Sequence, residues 1–204
     1  MGLLASSVSI TQYKVDGALA GPVNEAVLEG MRKNSIIEID NESDELVSGW
    51  ASFENPYQPE FKLAGVSIDN QYVFSLRIDK KSIPAKTLKK HYFLEVDRRL
   101  AETGRDYLSK SEKSEIRDQV KTTLSLRIPA TPNIYDIIWN YEEGKLWFFS
   151  NLKSANEELE TLFSKTFKLT LIRIFPYTMA NLLADLSEPE KDRLAKLSPT
   201  AFMG

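Results

Sequence analysis

The chain has no cysteine among its 204 residues and a single histidine, His91. The first absence excludes disulfides, thiolate metal sites and cysteine nucleophiles, and it fits a cytoplasmic protein. The second removes most acid-base schemes built on imidazole. The nine glycines are scattered. They form no phosphate-cradling loop, and neither an HExxH nor a GxSxG pattern occurs. The first residues carry no positive cluster, and their apolar run is too short for a signal peptide or a membrane span. They read as the approach to a first strand, and neither cofactor nor membrane partner is expected.

What is present is enough for a real core, with 42 % of residues hydrophobic, and the chain should fold without covalent staples. The formal net charge is −3, which ordinarily counts against a polyanionic partner. The charge is unevenly spread, however. The segment from Asp79 to Arg127 holds about half of the 26 Lys and Arg residues, so it is locally basic and the remainder distinctly acidic. A polyanion responds to the nearby field and not to the whole-molecule sum.

Hydrophobic periodicity gives the order of elements. Val8, Ile10, Tyr13 and Val15 suggest a strand, and Gly21 and Pro22 open an amphipathic helix with Val23, Ala26, Val27 and Met31 on one side. Leu46 to Phe53, Phe61 to Ile68 and Gln71 to Ile78 have strand composition, with Asp69 and Asn70 as a hairpin turn, together an antiparallel meander. Pro84 then opens a helix with Ala85, Leu88, Tyr92, Val96 and Leu100 on one face, ending near Gly104. Ser109 and Glu112 form a capping box for the next helix, which Pro129 and Pro132 stop. Ile134 to Trp139 and Leu146 to Phe149 form a second hairpin. A helix from Ser154, a last strand from Phe167 to Phe175 and tail helices at Asn181 to Leu186 and Glu188 to Leu197 follow. The tail ends on Ala201, Phe202, Met203 and Gly204, which reads as a fragment or a partner-bound segment.

Sheet elements, then two helices, then sheet elements predict an α+β fold: mainly antiparallel sheet, helices on one face, and a projecting charged two-helix arm. The expected parts are residues 1–78 as an N-terminal sheet part, 79–132 as the basic arm, 133–176 completing the sheet domain, and 177–204 as a helical tail.

Two sites suggest themselves. At 100° per residue, Lys110, Lys113, Arg117 and Lys121 fall in a narrow sector of the second arm helix, apart from Glu112, Glu115 and Asp118. Lys86, Lys89 and Lys90 extend the positive surface onto the first helix, with Lys80 and Lys81 just before it and Arg127 at the far end. Such a stripe can neutralise several phosphates of a duplex but reads no bases. A mixed-charge helix is, by itself, more often a solvated surface. The other candidate is the acidic run Glu38, Asp40, Glu42, Asp44 and Glu45. Glu38 and Asp40 would share one strand face, the geometry a metal-dependent exonuclease would need, the plainer reading being a charged loop.

Asp79-Lys80-Lys81-Ser82-Ile83-Pro84, a charged helix, Leu108-Ser109-Lys110-Ser111-Glu112-Lys113 and Arg117-Asp118-Gln119-Val120 together resemble the recombination-associated RdgC family. Gly49 and Trp50 match its Gly-Trp element. The hairpin around Gly144 and the helix from Ser154 to Phe163 occupy the places of two further segments. The resemblance implies a bacterial, nucleoid-associated protein that binds double-stranded DNA without sequence preference and modulates RecA. It also implies a ring-shaped homodimer around DNA, and some family labels speak of an exonuclease. The stretch Leu124-Ser125-Leu126-Arg127-Ile128-Pro129 keeps the family's Arg at Arg127 but lacks the Pro and the Phe of its Leu-Leu-Pro-Arg-Ala-Phe pattern. Full-length members are about half as long again, so one ring-closing contact is expected to be missing, leaving an open clamp or another oligomer.

Overall fold

The computed structural model describes residues 2–40, 42–184 and 186–198. It is an α+β protein built on one antiparallel sheet of seven strands. The elements in chain order are β1 (Thr11–Asp16), α1 (Val23–Lys33), β2 (Leu46–Ala51), α2 (Leu63–Val66), β3 (Ser67–Ile68) and β4 (Gln71–Lys80). After them come α3 (Ala85–Thr103), α4 (Lys110–Ser125), β5 (Thr131–Asn140), β6 (Lys145–Phe148), α5 (Lys153–Phe167), β7 (Thr170–Ile174), α6 (Pro176–Leu183) and α7 (Glu188–Ala195). The strands are ordered β2-β4-β5-β6-β1-β7, with β3 also paired to β4.

The sheet is not a local meander followed by a hairpin. The N-terminal strand β1 inserts between β6 and β7, and β4 pairs with β5 along its full length, from Gln71 opposite Asn140 to Lys80 opposite Thr131. Both helices of the arm are thus an insertion between two hydrogen-bonded strands. The two ends of the arm are pinned side by side, which lets a long excursion leave the sheet at little cost in loop entropy.

Alternation of side chains across the pleat sorts the sheet into two faces. One face carries Trp50, Phe74, Leu76, Ile137, Trp139, Leu146, Phe148 and Tyr13, covered by Val27 and Met31 of α1 and by Leu159, Leu162, Phe163 and Phe167 of α5. The opposite face holds buried polar groups. Arg77 donates from Nε and Nη2 to the two carboxylate oxygens of Asp79, at 2.7 and 2.5 Å. Asp136 accepts from Ser75 Oγ and from the backbone N–H of Leu3 at 2.8 and 2.7 Å. The Gly-Trp element has a structural reason: a Cβ at position 49 would lie 2.4 Å from Ile36 Cα. Trp50 is buried beside it and donates its indole N–H to Thr166 Oγ1 at 2.8 Å.

Several boundaries differ from those the sequence suggests. Phe61 to Ile68 is not a strand, and only Ser67 and Ile68 pair. Phe61 and Val66 are both buried, and an odd separation of five would put them on opposite faces of a strand, whereas the turn α2 lets both face inward. Phe167 closes α5 and does not open the last strand, because it shares a helical face with Phe163 four residues earlier and Lys168 ends the helix in the left-handed region at φ 57°. Val8 and Ile10 precede β1 and are exposed. The first tail helix begins at Pro176 and not at Asn181. Asp185 within that expected helix, and the Ala201 to Gly204 ending, lie outside the described residues. Among the described residues no helix is long and apolar enough to cross a membrane.

Candidate nucleic-acid interface

The arm is specified by local signals. Pro84 precedes the first turn of α3, where its missing N–H costs nothing, and Gly104 ends that helix in the left-handed region at φ 63°. Ser109 caps α4: its Oγ accepts from Glu112 N at 3.2 Å while Glu112 Oε2 accepts from Ser109 N at 2.8 Å. Arg105 donates to the other carboxylate oxygen, and this hydrogen bond, joined by those from Ser109, lowers the Glu112 pKa to about 2. Leu108, Ile116, Val120 and Leu124 are buried against Ile83, Leu88, Tyr92, Val96 and Leu100, forming a hydrophobic cluster separate from the main core.

Beside this seam lies an open groove of about 570 Å³ lined by Lys89 and Phe93 of α3 and by Lys110, Lys113 and Arg117 of α4. Among the described residues no carboxylate lines it. None of its four cations takes part in an ion pair among the described residues. The spacing i, i+3, i+7 on α4 places three of them on one helical face, and Lys89 joins from the neighbouring helix. A larger groove between the same helices differs in chemistry, since it brings Glu95, Glu115 and Asp118 together with His91, Arg98 and Arg127. Arg98 there is already bonded to Glu95 and Glu102. Attraction for a polyanion therefore concentrates in the smaller groove.

No protein-family model matches the chain, and no curated protein does. The functional reading accordingly stands on this geometry and on the order of motifs in the sequence.

The stripe expected on α4 is divided by the fold. Lys110, Lys113 and Arg117 share the acid-free groove, whereas Lys121 is paired with Glu45 at 2.5 Å. Arg127 lies in the mixed groove, and Lys86 and Lys90 are exposed outside both. Lys81 is no surface cation: it is 5 % exposed, and its ammonium donates to the backbone carbonyls of Asp40, Glu42 and Ser125 at 3.0, 2.7 and 2.9 Å. Three donors meeting three carbonyls satisfy a buried ammonium fully. One of those carbonyls lies in the last turn of α4, where a cation also complements the helix dipole.

The acidic run between α1 and β2, for which a nuclease site is the alternative to a plain charged loop, packs at the base of the arm. Glu38 and Asp40 do not share a strand face, because the described residues of this segment form no strand. Asp40 Oδ1 accepts from Ala130 N at 2.8 Å, Ser125 Oγ donates to the carbonyl of Ser43 at 3.3 Å, and Glu45 holds Lys121. Glu38 lies 4.0 Å from Arg77 Nη2. Together with Lys81, these contacts bracket the base of the arm. Among the described residues no group of three or more His, Asp or Glu is placed to hold a metal ion.

All four groove cations, Lys89 included, are among the residues that the sequence suggests, but Phe93 is not. The ring is 51 % exposed within the groove, and Lys89 Nζ lies 5.8 Å from its centroid. A large aromatic on the polar side of an amphipathic helix was the available signal.

Proposed function

We propose that the protein binds double-stranded DNA through the phosphate backbone, without sequence preference, in the control of recombination. The observation that carries this reading is the groove in which Lys89, Lys110, Lys113 and Arg117 face one space with no carboxylate among them. From Lys110 to Arg117 the helix rises roughly 10 Å, and a duplex presents a phosphate charge about every 1.7 Å of axis, so one face meets several phosphates. No base-reading element accompanies the cations, and contacts of this kind set position without specifying sequence. The resemblance of the arm motifs to the RdgC family supplies the biological setting: a nucleoid-associated homodimer acting on RecA.

The test is the salt dependence of binding to a random duplex, measured by fluorescence anisotropy. Each phosphate neutralised contributes about 0.9 to the slope of log affinity against log salt. Replacing Lys110, Lys113 and Arg117 together by Glu should abolish detectable binding at physiological salt and flatten the slope by about 2.7, three such contacts. Unchanged affinity and slope would refute DNA binding by this groove and leave the arm as a docking surface for an acidic protein.

A further inference from the structure

We infer that the groove is built for an unpaired base as well as for phosphates, with Phe93 as the stacking platform. This rests on the nucleic-acid reading above and adds a residue role to it: Phe93 as the contact that meets an unpaired base. Leaving a phenyl ring in water costs free energy. A half-exposed Phe among four cations serves no purpose for duplex phosphates, since a duplex keeps the faces of its bases stacked inside the helix. An unpaired base offers such a face. Aromatic rings set in a positive groove are the chemistry by which single strands are held without regard to sequence, because every base has a π-face.

The arrangement around the ring fits this role. Phe93 is backed by Tyr92, whose ring meets it edge-on with centroids 5.6 Å apart. Tyr92 is in turn packed on the arm's hydrophobic cluster. The platform is therefore anchored from behind while its outer surface stays open. Lys89 at 5.8 Å from the ring is one helical turn before it, and Lys110, Lys113 and Arg117 form the facing wall. A strand laid along that wall would place phosphates on α4 and a base on Phe93.

The experiment compares three variants of the 204-residue chain with the wild type on a single-stranded oligothymidylate and on a duplex closed by loops at both ends, so that no bases fray. Phe93→Ala and Phe93→Leu should each weaken single-strand binding by at least about fivefold more than they weaken duplex binding. Phe93→Trp should keep it or strengthen it. The salt slope for the single strand should stay the same in all of them, because the phosphate contacts remain. Leu keeps the apolar bulk, so full retention of affinity in Phe93→Leu overturns stacking. Equal loss on both substrates, or no loss on either, overturns it too. A wild type that binds duplex but not single strand sinks this inference and spares the duplex reading; one that binds neither sinks both.

Discussion

The sheet domain and the arm are held together in contrasting ways. Under the sheet, the rings of Trp50, Trp139, Phe163 and Phe167 interlock, with Trp139 5.0 Å from Phe163 and 5.1 Å from Phe167, and all four side chains are buried. The arm has four buried aliphatic side chains, and α3 contributes no fully buried residue to it. What fixes the arm is polar: a capping box, an Arg-carboxylate contact at its turn, and the bracket of Lys81, Asp40 and Ser125 at its base. A helix pair secured at its ends leaves its flanks free for charge. The contrast also implies that the arm opens at lower free energy than the sheet, since local stability follows buried apolar contact.

Cutting into the aromatic core should give the largest effect. Phe163→Ala removes a ring that touches Trp50, Trp139 and Phe167 and should cost about 3–5 kcal/mol, read as a shift of the urea midpoint. Because the arm is inserted between β4 and β5, it should be lost no later than the sheet. An arm signal that survives loss of the sheet would show that the helix pair folds independently.

Next in size is Lys81→Met. It leaves the carbonyls of Asp40, Glu42 and Ser125 without their donor and should cost about 2–3 kcal/mol. The effect should be local: amide exchange in the last turn of α4 accelerates, while amides of β5 and β6 keep their protection. Uniform acceleration across both regions would contradict the bracket. Ser109→Ala takes away half of the capping box and should cost about 1 kcal/mol, again in the arm and visible as faster exchange in its first turn.

Acid offers a graded way to the same end. Glu112 is held below the usual carboxylate range, first by Arg105 and then by Ser109, at about 2. A depressed folded-state pKa means that its stabilisation is fully present above the ordinary value of 4.5 and is lost as pH falls toward 2. Helical content of the arm should decline through that window in the wild type. Glu112→Gln should make the arm insensitive to it.

These local devices are also what could be read from the sequence. Pro84, Gly104, Ser109 and Glu112 act within a turn of where they stand, so both arm helices were legible, and so was the hairpin around Gly144. The insertion of β1 between β6 and β7 was not, because pairing between strands more than 130 residues apart leaves no mark on either strand's own pattern. The site shows the same division. A helical wheel places Lys110, Lys113 and Arg117 correctly because they belong to one element. It cannot show that Glu45 reaches Lys121, that Lys81 turns inward, or that Phe93 stands beside the cations.

Lys121 carries the smallest prediction and bears most directly on where the groove ends. Its ion pair with Glu45 is half exposed on both sides, so it stabilises the fold by a few tenths of a kcal/mol at most. Lys121→Ala should leave the melting temperature nearly unchanged. If the pair persists on DNA, the same substitution should alter the salt slope far less than Lys113→Ala, which should remove about 0.9. Glu45→Gln then becomes the informative variant. Releasing Lys121 adds a free cation one turn beyond Arg117, and duplex affinity should rise with a steeper salt slope. An unchanged slope in Glu45→Gln, with a full loss of 0.9 in Lys121→Ala, would mean that Lys121 leaves Glu45 for phosphate in the complex, and that the positive face extends along α4 as far as the bracket.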